Sequence, residues 1–207
     1  MPGLFITFEG GEGVGKTTQI QRLADNLKHA GHEPVLTREP GGTPGAEAIR
    51  DLLSHPEWGE KWTPEAETML LFAARAMHIK DIIEPALKAG KIILCDRYID
   101  STRVYQGYIQ KLDKAFLQSL EERIVKNFVP DLTFILDLTA EEALKRVENR
   151  GAVDHYDRRD KDFYTQLHQG FKEIAEQNPQ RCLLIDAAQD EEKIAQQVAD
   201  IVLKRLN

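Results

Sequence analysis

The chain has 207 residues, of which 42% are hydrophobic and 29% charged, values that exclude wholesale disorder, a collagen-like repeat and a disulfide scaffold. Its net charge of −7 provides no general basic field to gather nucleic acid or an anionic membrane, so any phosphate must be met locally. No apolar run approaches the length of a bilayer span, and the chain enters an apolar run at Leu4 with no basic leader before it. Cys95 and Cys182 sit inside apolar runs as candidate buried thiols, with neither a disulfide framework nor a zinc-ligand spacing. Together these features predict a cytoplasmic protein.

Apolar runs of strand length predict strands at 4–8, 33–37, 91–95, 132–138 and 181–185. Helical periods lie between them, over 16–30, 43–54, 64–89, 114–126, 140–150, 161–177 and 190–206. Thr63-Pro64 and Asp190 suit helix starts, and Gly31 and Gly90 suit helix ends. The alternation predicts an α/β fold with a five-stranded parallel sheet flanked by helices. Nothing reads as a repeat or a linker, so residues 1–207 are expected to form a single domain. The polar window at 150–162 has two readings, a solvated loop or a flap over an anionic ligand.

Gly10-Gly11-Glu12-Gly13-Val14-Gly15-Lys16-Thr17 matches G-x-x-x-x-G-K-[ST], with an apolar strand before it and an amphipathic helix after it. Glycines there permit turns that aim successive backbone N–H groups into a nest, with the helix dipole behind the bound phosphates. Lys16 adds a point charge at the phosphates, Thr17 offers a hydroxyl to Mg²⁺, and Thr18 is a further donor. The expected fold is therefore a P-loop NTPase fold, and the reaction class is phosphate-bond chemistry on an unspecified acceptor.

A second constellation follows the third strand. Asp96-Arg97 ends it, on the side of a parallel sheet where ligands bind. Asp96 is placed to hold Mg²⁺ or its water, and Arg97 to grip a phosphate. Thr37-Arg38-Glu39-Pro40-Gly41-Gly42 closes the second strand on the same side; Arg50 lies on the next helix, and Phe72 and Arg75 lie i, i+3 on a long one.

These segments, with Leu71-Phe72-Ala73-Ala74-Arg75, Asp96-Arg97-Tyr98-Ile99-Asp100-Ser101 and Tyr105-Gln106-Gly107, resemble bacterial thymidylate kinases in order and spacing across essentially the whole chain. The resemblance implies transfer of a phosphoryl group from Mg-ATP to dTMP, giving dTDP, by a homodimer. It implies that ATP is met by Gly10, Gly11, Glu12, Gly13, Val14, Gly15, Lys16, Thr17 and Thr18. It implies that dTMP is met by Glu39, Arg50, Phe72, Arg75, Arg97, Ser101, Thr102, Tyr105 and Gln106. Thr17, Glu9 and Asp96 would organise the metal, and Lys16, Arg97, Glu12 and Arg150 would carry the transfer. A flexible lid over about 146–162 would supply Arg146, Arg150, Arg158 and Arg159, since Gly13 stands where one branch of the family has an arginine in the loop.

The sequence also departs from the family pattern. Leu71 stands four before Arg75, where the family often has an aromatic residue, and Phe72 comes one step later, about 100° around the helix. His155 replaces a usual lid arginine, and 108–111 lacks the usual glycine- and arginine-containing turn. Two other readings compete: a deoxynucleoside kinase with an unphosphorylated acceptor, and a GTP-binding switch. Arg50 and Arg97 argue against the first, and the lack of Asn-Lys-x-Asp argues against the second.

Overall fold

A computed structural model describes residues 3–54, 62–150 and 161–206, with 147–150 given by backbone alone. Its sheet has five strands: β1 (Leu4–Glu9), β2 (Val35–Arg38), β3 (Ile92–Asp96), β4 (Leu132–Asp137) and β5 (Cys182–Asp186). They run parallel in the order β2-β3-β1-β4-β5, as the alternation of apolar runs and helical periods predicts. Register decides where the loops emerge. Phe8 and Arg38 both pair with Asp96, so the chain leaves β1, β2 and β3 at one level and opens a shared crevice beyond their carboxyl ends.

Alternation along the central strands divides two cores. Ile6 and Phe8 of β1, with Ile92 and Leu94 of β3, enter one core, whereas Phe5, Ile93 and Cys95 enter the other. The first core takes Ile20, Leu23, Ala24 and Leu27 of α1 (Lys16–His29), whose spacing puts them on one helical face. It also takes Leu167 and Phe171 of α8 (Lys161–Gln177) and Ile194, Val198 and Val202 of α9 (Glu191–Leu206). The second takes Phe72 of α3 (Pro64–His78) and Leu117 of α6 (Lys114–Leu120). Both cysteines are free and buried. Among the described residues no helix is long and apolar enough to cross a membrane.

The expected helix start at Thr63-Pro64 is present: the Thr63 side chain accepts from the Ala66 N–H at 3.3 Å. The long helix expected over 64–89 is not one regular helix. It runs through α3, a wider π-type turn at Ile79–Ile83 and α4 (Glu84–Lys88). A second π-type turn, Glu121–Val125, continues α6 where one helix is expected over 114–126. The remaining helices are α2 (Pro44–Ser54), α5 (Ile99–Thr102) and α7 (Ala140–Arg150).

The sequence reading assigns no element at α5, which a further π-type turn continues over Arg103–Ile109. Its hold is tertiary. Asp100 is fully buried and accepts two bonds from Arg181, at 2.6 and 2.8 Å, and one from Arg103 at 3.0 Å. Arg103 is in turn gripped by Glu121 at 2.9 Å. A buried carboxylate so matched by donors fixes the segment from outside it, and local apolar periodicity carries no trace of this.

Candidate active site

One cavity of about 540 Å³ occupies the crevice at the ends of β1, β2 and β3. Its first wall is the phosphate loop. Gly10, Gly13 and Gly15 all have positive φ, at 127°, 74° and 100°. At Gly10 a side chain is also barred by space, because a Cβ there would stand 2.3 Å from the Leu136 carbonyl oxygen. Gly13, Gly15, Lys16, Thr17, Thr18 and Glu12 line the cavity. Val14 instead sends its side chain into the first core, so Val14, like Gly10 and Gly11, belongs to the loop's frame and offers the crevice at most its backbone.

Lys16 is buried, and its ammonium caps the loop's own carbonyls, Gly11 O at 2.7 Å and Gly10 O at 3.2 Å. Burial, then the charge of Arg97, lowers its pKa to about 8, against the pull of Asp96, Glu12 and Glu9. Thr17 Oγ1 donates to Asp96 Oδ2 at 3.2 Å. The other oxygen, Asp96 Oδ1, is buried with no partner among the described residues. A hydroxyl and a carboxylate with a spare oxygen, both facing a phosphate nest, are a donor set that fits Mg²⁺.

Glu9 is expected beside them and is placed elsewhere. It is fully buried, does not line the cavity, and accepts from the Tyr98 N–H at 2.8 Å and from Ser101 Oγ at 2.5 Å. Burial, reinforced by Asp100, pushes its carboxyl up to about 7. Its work is to set the turn after β3, and this corrects the expectation that it faces the metal.

Arg97 sits in that turn with φ 63°, a left-handed conformation rare for a residue with a side chain. This sends its guanidinium back over the loop, where it donates to Gly10 O at 2.9 Å, Ser101 Oγ at 3.2 Å and Glu12 Oε1 at 3.1 Å. The Tyr105 hydroxyl donates to the same Glu12 oxygen at 2.8 Å, and the Tyr105 ring lies 5.3 Å from the guanidinium carbon of Arg97. Burial alone would push the Glu12 carboxyl up, but Arg97 and Lys16 outweigh it and hold the group below its ordinary range. Glu12 Oε2 remains buried without a partner among the described residues.

The far wall comes from β2, α2 and α3. Arg50 lines the cavity and donates to Pro40 O at 3.0 Å. Glu39 is buried and accepts from Arg75 Nε at 2.7 Å and bonds His78 Nδ1 at 2.8 Å. Arg75 also donates from Nη2 to Thr102 Oγ1 at 3.1 Å, while its Nη1 is buried with no partner among the described residues. Ser101, Thr102, Tyr105 and Gln106 line the same space.

Phe72 does not. Its ring is 1% exposed and packs in the second core, with the Arg75 guanidinium carbon 4.8 Å from its centre and 5.2 Å from that of Tyr98. Leu71 takes the cavity-facing position, because the helical face carrying Arg75 also carries residues four and eight before it, Leu71 and Glu67. The expected base contact by Phe72 is thus corrected to a support beneath Arg75. Phe72→Leu is expected to lower unfolding free energy in urea by about 1 kcal/mol while leaving acceptor KM within about twofold; a large rise in that KM would restore Phe72 to the site.

Arg38, Glu67 and Leu71 line the cavity without having been assigned a role from sequence. Arg38 ends β2 and pairs with Glu47 at 2.9 Å; Glu67 accepts from Gln110 at 2.8 Å, closing the rim across the unusual 108–111 turn. Their signals were adjacency to Glu39 and the four-residue spacing from Arg75. Arg146 is on α7, but its Nη2 donates to Ala187 O at 2.7 Å and it does not line the cavity. The expected lid arginines Arg158 and Arg159, and His155, lie outside the described residues, as does the side chain of Arg150.

Comparison with known proteins agrees with this geometry. A family model described as thymidylate kinase matches residues 8–198. The thymidylate kinase of Caulobacter vibrioides is 47% identical over 99% of this chain and 98% of its own, and that of an Exiguobacterium species is 44% identical over 100% and 97%. The crystal structure of thymidylate kinase from Ehrlichia chaffeensis superposes with a TM-score of 0.77 at 35% identity, covering 98% of this chain and 99% of that one. With its phosphate loop, its arginine-lined cavity and these full-length matches, the chain belongs to the thymidylate kinase family.

Proposed function

We propose that the chain transfers the γ-phosphoryl group of ATP to dTMP, releasing ADP and dTDP. What carries this reading is that a single cavity holds the phosphate loop with Lys16 together with Arg50, Arg75 and Arg97. Two positioned guanidiniums, Arg50 and Arg97, beside a triphosphate nest suit an acceptor that is itself phosphorylated.

In the transfer, an oxygen of the dTMP phosphate bonds to the γ-phosphorus as the bond from that phosphorus to the β-bridging oxygen breaks, and ADP leaves with the electron pair. The acceptor is already anionic at neutral pH, so positioning and cations matter more than a strong base. The loop N–H groups and Lys16 bind the triphosphate; Arg97 and Arg50 hold the acceptor phosphate. Glu12 keeps Arg97 aimed and has Oε2 to offer a sugar hydroxyl. Arg75 has Nη1 to offer a ring carbonyl, with Gln106, Ser101 and Thr102 near it. Thr17 and Asp96 would hold Mg²⁺, which neutralises charge on the phosphate oxygens when bound.

On the family resemblance, Arg150, Arg158 and Arg159 would supply the positive charge that Gly13, in place of a loop arginine, does not. The reading extends to one domain, a homodimer and a cytoplasmic location, supported by family likeness; sedimentation of the purified chain tests the dimer. To test the reaction itself, ATP labelled in its γ-phosphate is incubated with dTMP, with and without a chelator. Label in dTDP that the chelator abolishes supports the reading, and label only in free phosphate counts against it.

A pH effect follows from Lys16. Its charge faces Arg97, Asp96, Glu12 and Glu9, and its pKa is lowered to about 8 before nucleotide arrives. Bound phosphate favours the charged form, so binding above that pH takes up a proton. ATP affinity is expected to fall as pH rises past about 8, by up to about tenfold per unit. Titration with a fluorescent ATP analogue from neutral to alkaline pH measures this, and a flat profile would remove the lowered Lys16 pKa from the account.

A further inference from the structure

His78 has no part in the chemistry described above, yet it is fully buried at the end of α3 and touches the site's floor. Its Nδ1 lies 2.8 Å from Glu39 Oε1 and its Nε2 lies 2.7 Å from Thr37 Oγ1. The opposite oxygen of Glu39 takes the Arg75 Nε–H at 2.7 Å. An ionised carboxylate only accepts, so Nδ1 carries the proton and donates to Glu39, while the Thr37 hydroxyl can pair with Nε2 in either direction. Every link in the chain Thr37, His78, Glu39, Arg75 is therefore satisfied. The turn after β2 packs directly on this chain: a Cβ on Gly42 would stand 2.7 Å from Thr37 Oγ1 and 2.8 Å from His78 Cδ2.

The consequence reaches the cavity through Arg75. Its Nε is held by Glu39 and its Nη2 by Thr102, and only Nη1 is left without a partner among the described residues. With Glu39 pinned on both oxygens, the guanidinium has one orientation, and Nη1 is its one nitrogen without a partner among the described residues. We propose that His78 is a positioning residue for acceptor recognition, holding Glu39 so that Arg75 presents Nη1 to a carbonyl oxygen of the acceptor's pyrimidine ring. Without His78, Glu39 loses one of its two anchors and the fork can rotate, so the donor is no longer aimed. This rests on the reading that Arg75 meets the acceptor's base.

The test compares His78→Leu with His78→Asn, whose amide nitrogen can stand near Nδ1 and restore the donor to Glu39. His78→Leu is expected to raise acceptor KM about tenfold or more, as when a buried carboxylate loses a donor, with the KM for ATP little changed. With Nη1 meeting the 4-carbonyl of dTMP, it should also narrow the preference over deoxycytidine monophosphate, which carries an amino group at that position. His78→Asn should recover most of both. An unchanged acceptor KM in His78→Leu, or equal rises in both KM values that His78→Asn fails to repair, would overturn the proposal. If His78→Leu does not fold, His78→Gln replaces it, because its longer amide reaches toward Thr37 rather than Glu39; Asn and Gln behaving alike would then overturn it. Arg75→Met separates the two levels. If that variant keeps its acceptor KM, the assignment of Arg75 to the base fails; if it loses acceptor use and His78→Leu does not, only the role of His78 fails.

Discussion

Replacing Lys16 by alanine is expected to lower turnover by about 10² or more, the effect of removing a pre-aimed positive group from developing charge. The same change should leave thermal stability equal or higher. Burial and Arg97 lower the Lys16 pKa from 10.5 to about 8, so the fold disfavours the charged lysine relative to the unfolded chain. Below pH about 8 that penalty is fully present, and it fades as pH rises from there toward 10.5, where the unfolded chain also loses its proton. Among the described residues the ammonium hydrogen-bonds to the Gly10 and Gly11 carbonyls. A group that weakens the empty site and is held there regardless fits a role in the transfer. Steady-state turnover and a melting curve on one preparation measure both halves. Near-normal turnover, or a steep drop in Tm, would contradict this.

Arg97→Ala is expected to have a comparable effect through the acceptor, lowering kcat/KM for dTMP by about 10² or more. Arg97 is held by three oxygens, two from the phosphate loop at Gly10 and Glu12 and one from Ser101, so its direction is fixed before any substrate arrives. Its contact with Gly10 also joins it to the triphosphate loop, so the KM for ATP should rise, but less than that for dTMP. Lysine is a poor substitute, because a point charge cannot serve three acceptors as a planar fork does. Arg97→Lys should therefore remain close to the alanine variant. Equal loss of affinity for both substrates would place Arg97 in the loop's structure rather than on the acceptor.

Much of this site was legible because its residues lie where local rules bind tightly. The phosphate loop needs positive φ and a following helix, and both are written in consecutive residues. The parallel sheet follows from apolar runs separated by helical periods, and with it the level at which Asp96, Arg97 and Glu39 emerge. Phe72 was misread for a reason of phase: the aromatic residue and Leu71 are neighbours in sequence, and only the packing of α3 decides which faces the cavity. Glu9 was misread because a carboxylate at a strand end serves equally well as a ligand or as an anchor for the next turn. Its choice depends on Tyr98 and Ser101, 89 and 92 positions along the chain and so beyond any local signal. The helical segment from Ile99 was invisible because Arg181, 81 positions along the chain, holds it through Asp100. His78 likewise reads as one more helix residue until β2 is placed against it.

The central claim is that a phosphorylated pyrimidine, dTMP, is the acceptor, and the most direct measurement is ADP release from Mg-ATP across a panel of acceptors. The panel contains dTMP, thymidine, deoxyuridine monophosphate, cytidine monophosphate, guanosine monophosphate and buffer alone. Turnover concentrated on dTMP, with thymidine inert, is the predicted result, since Arg50 and Arg97 need a phosphate to hold and Arg75 needs a ring carbonyl. Turnover led by thymidine or by a purine monophosphate would contradict it.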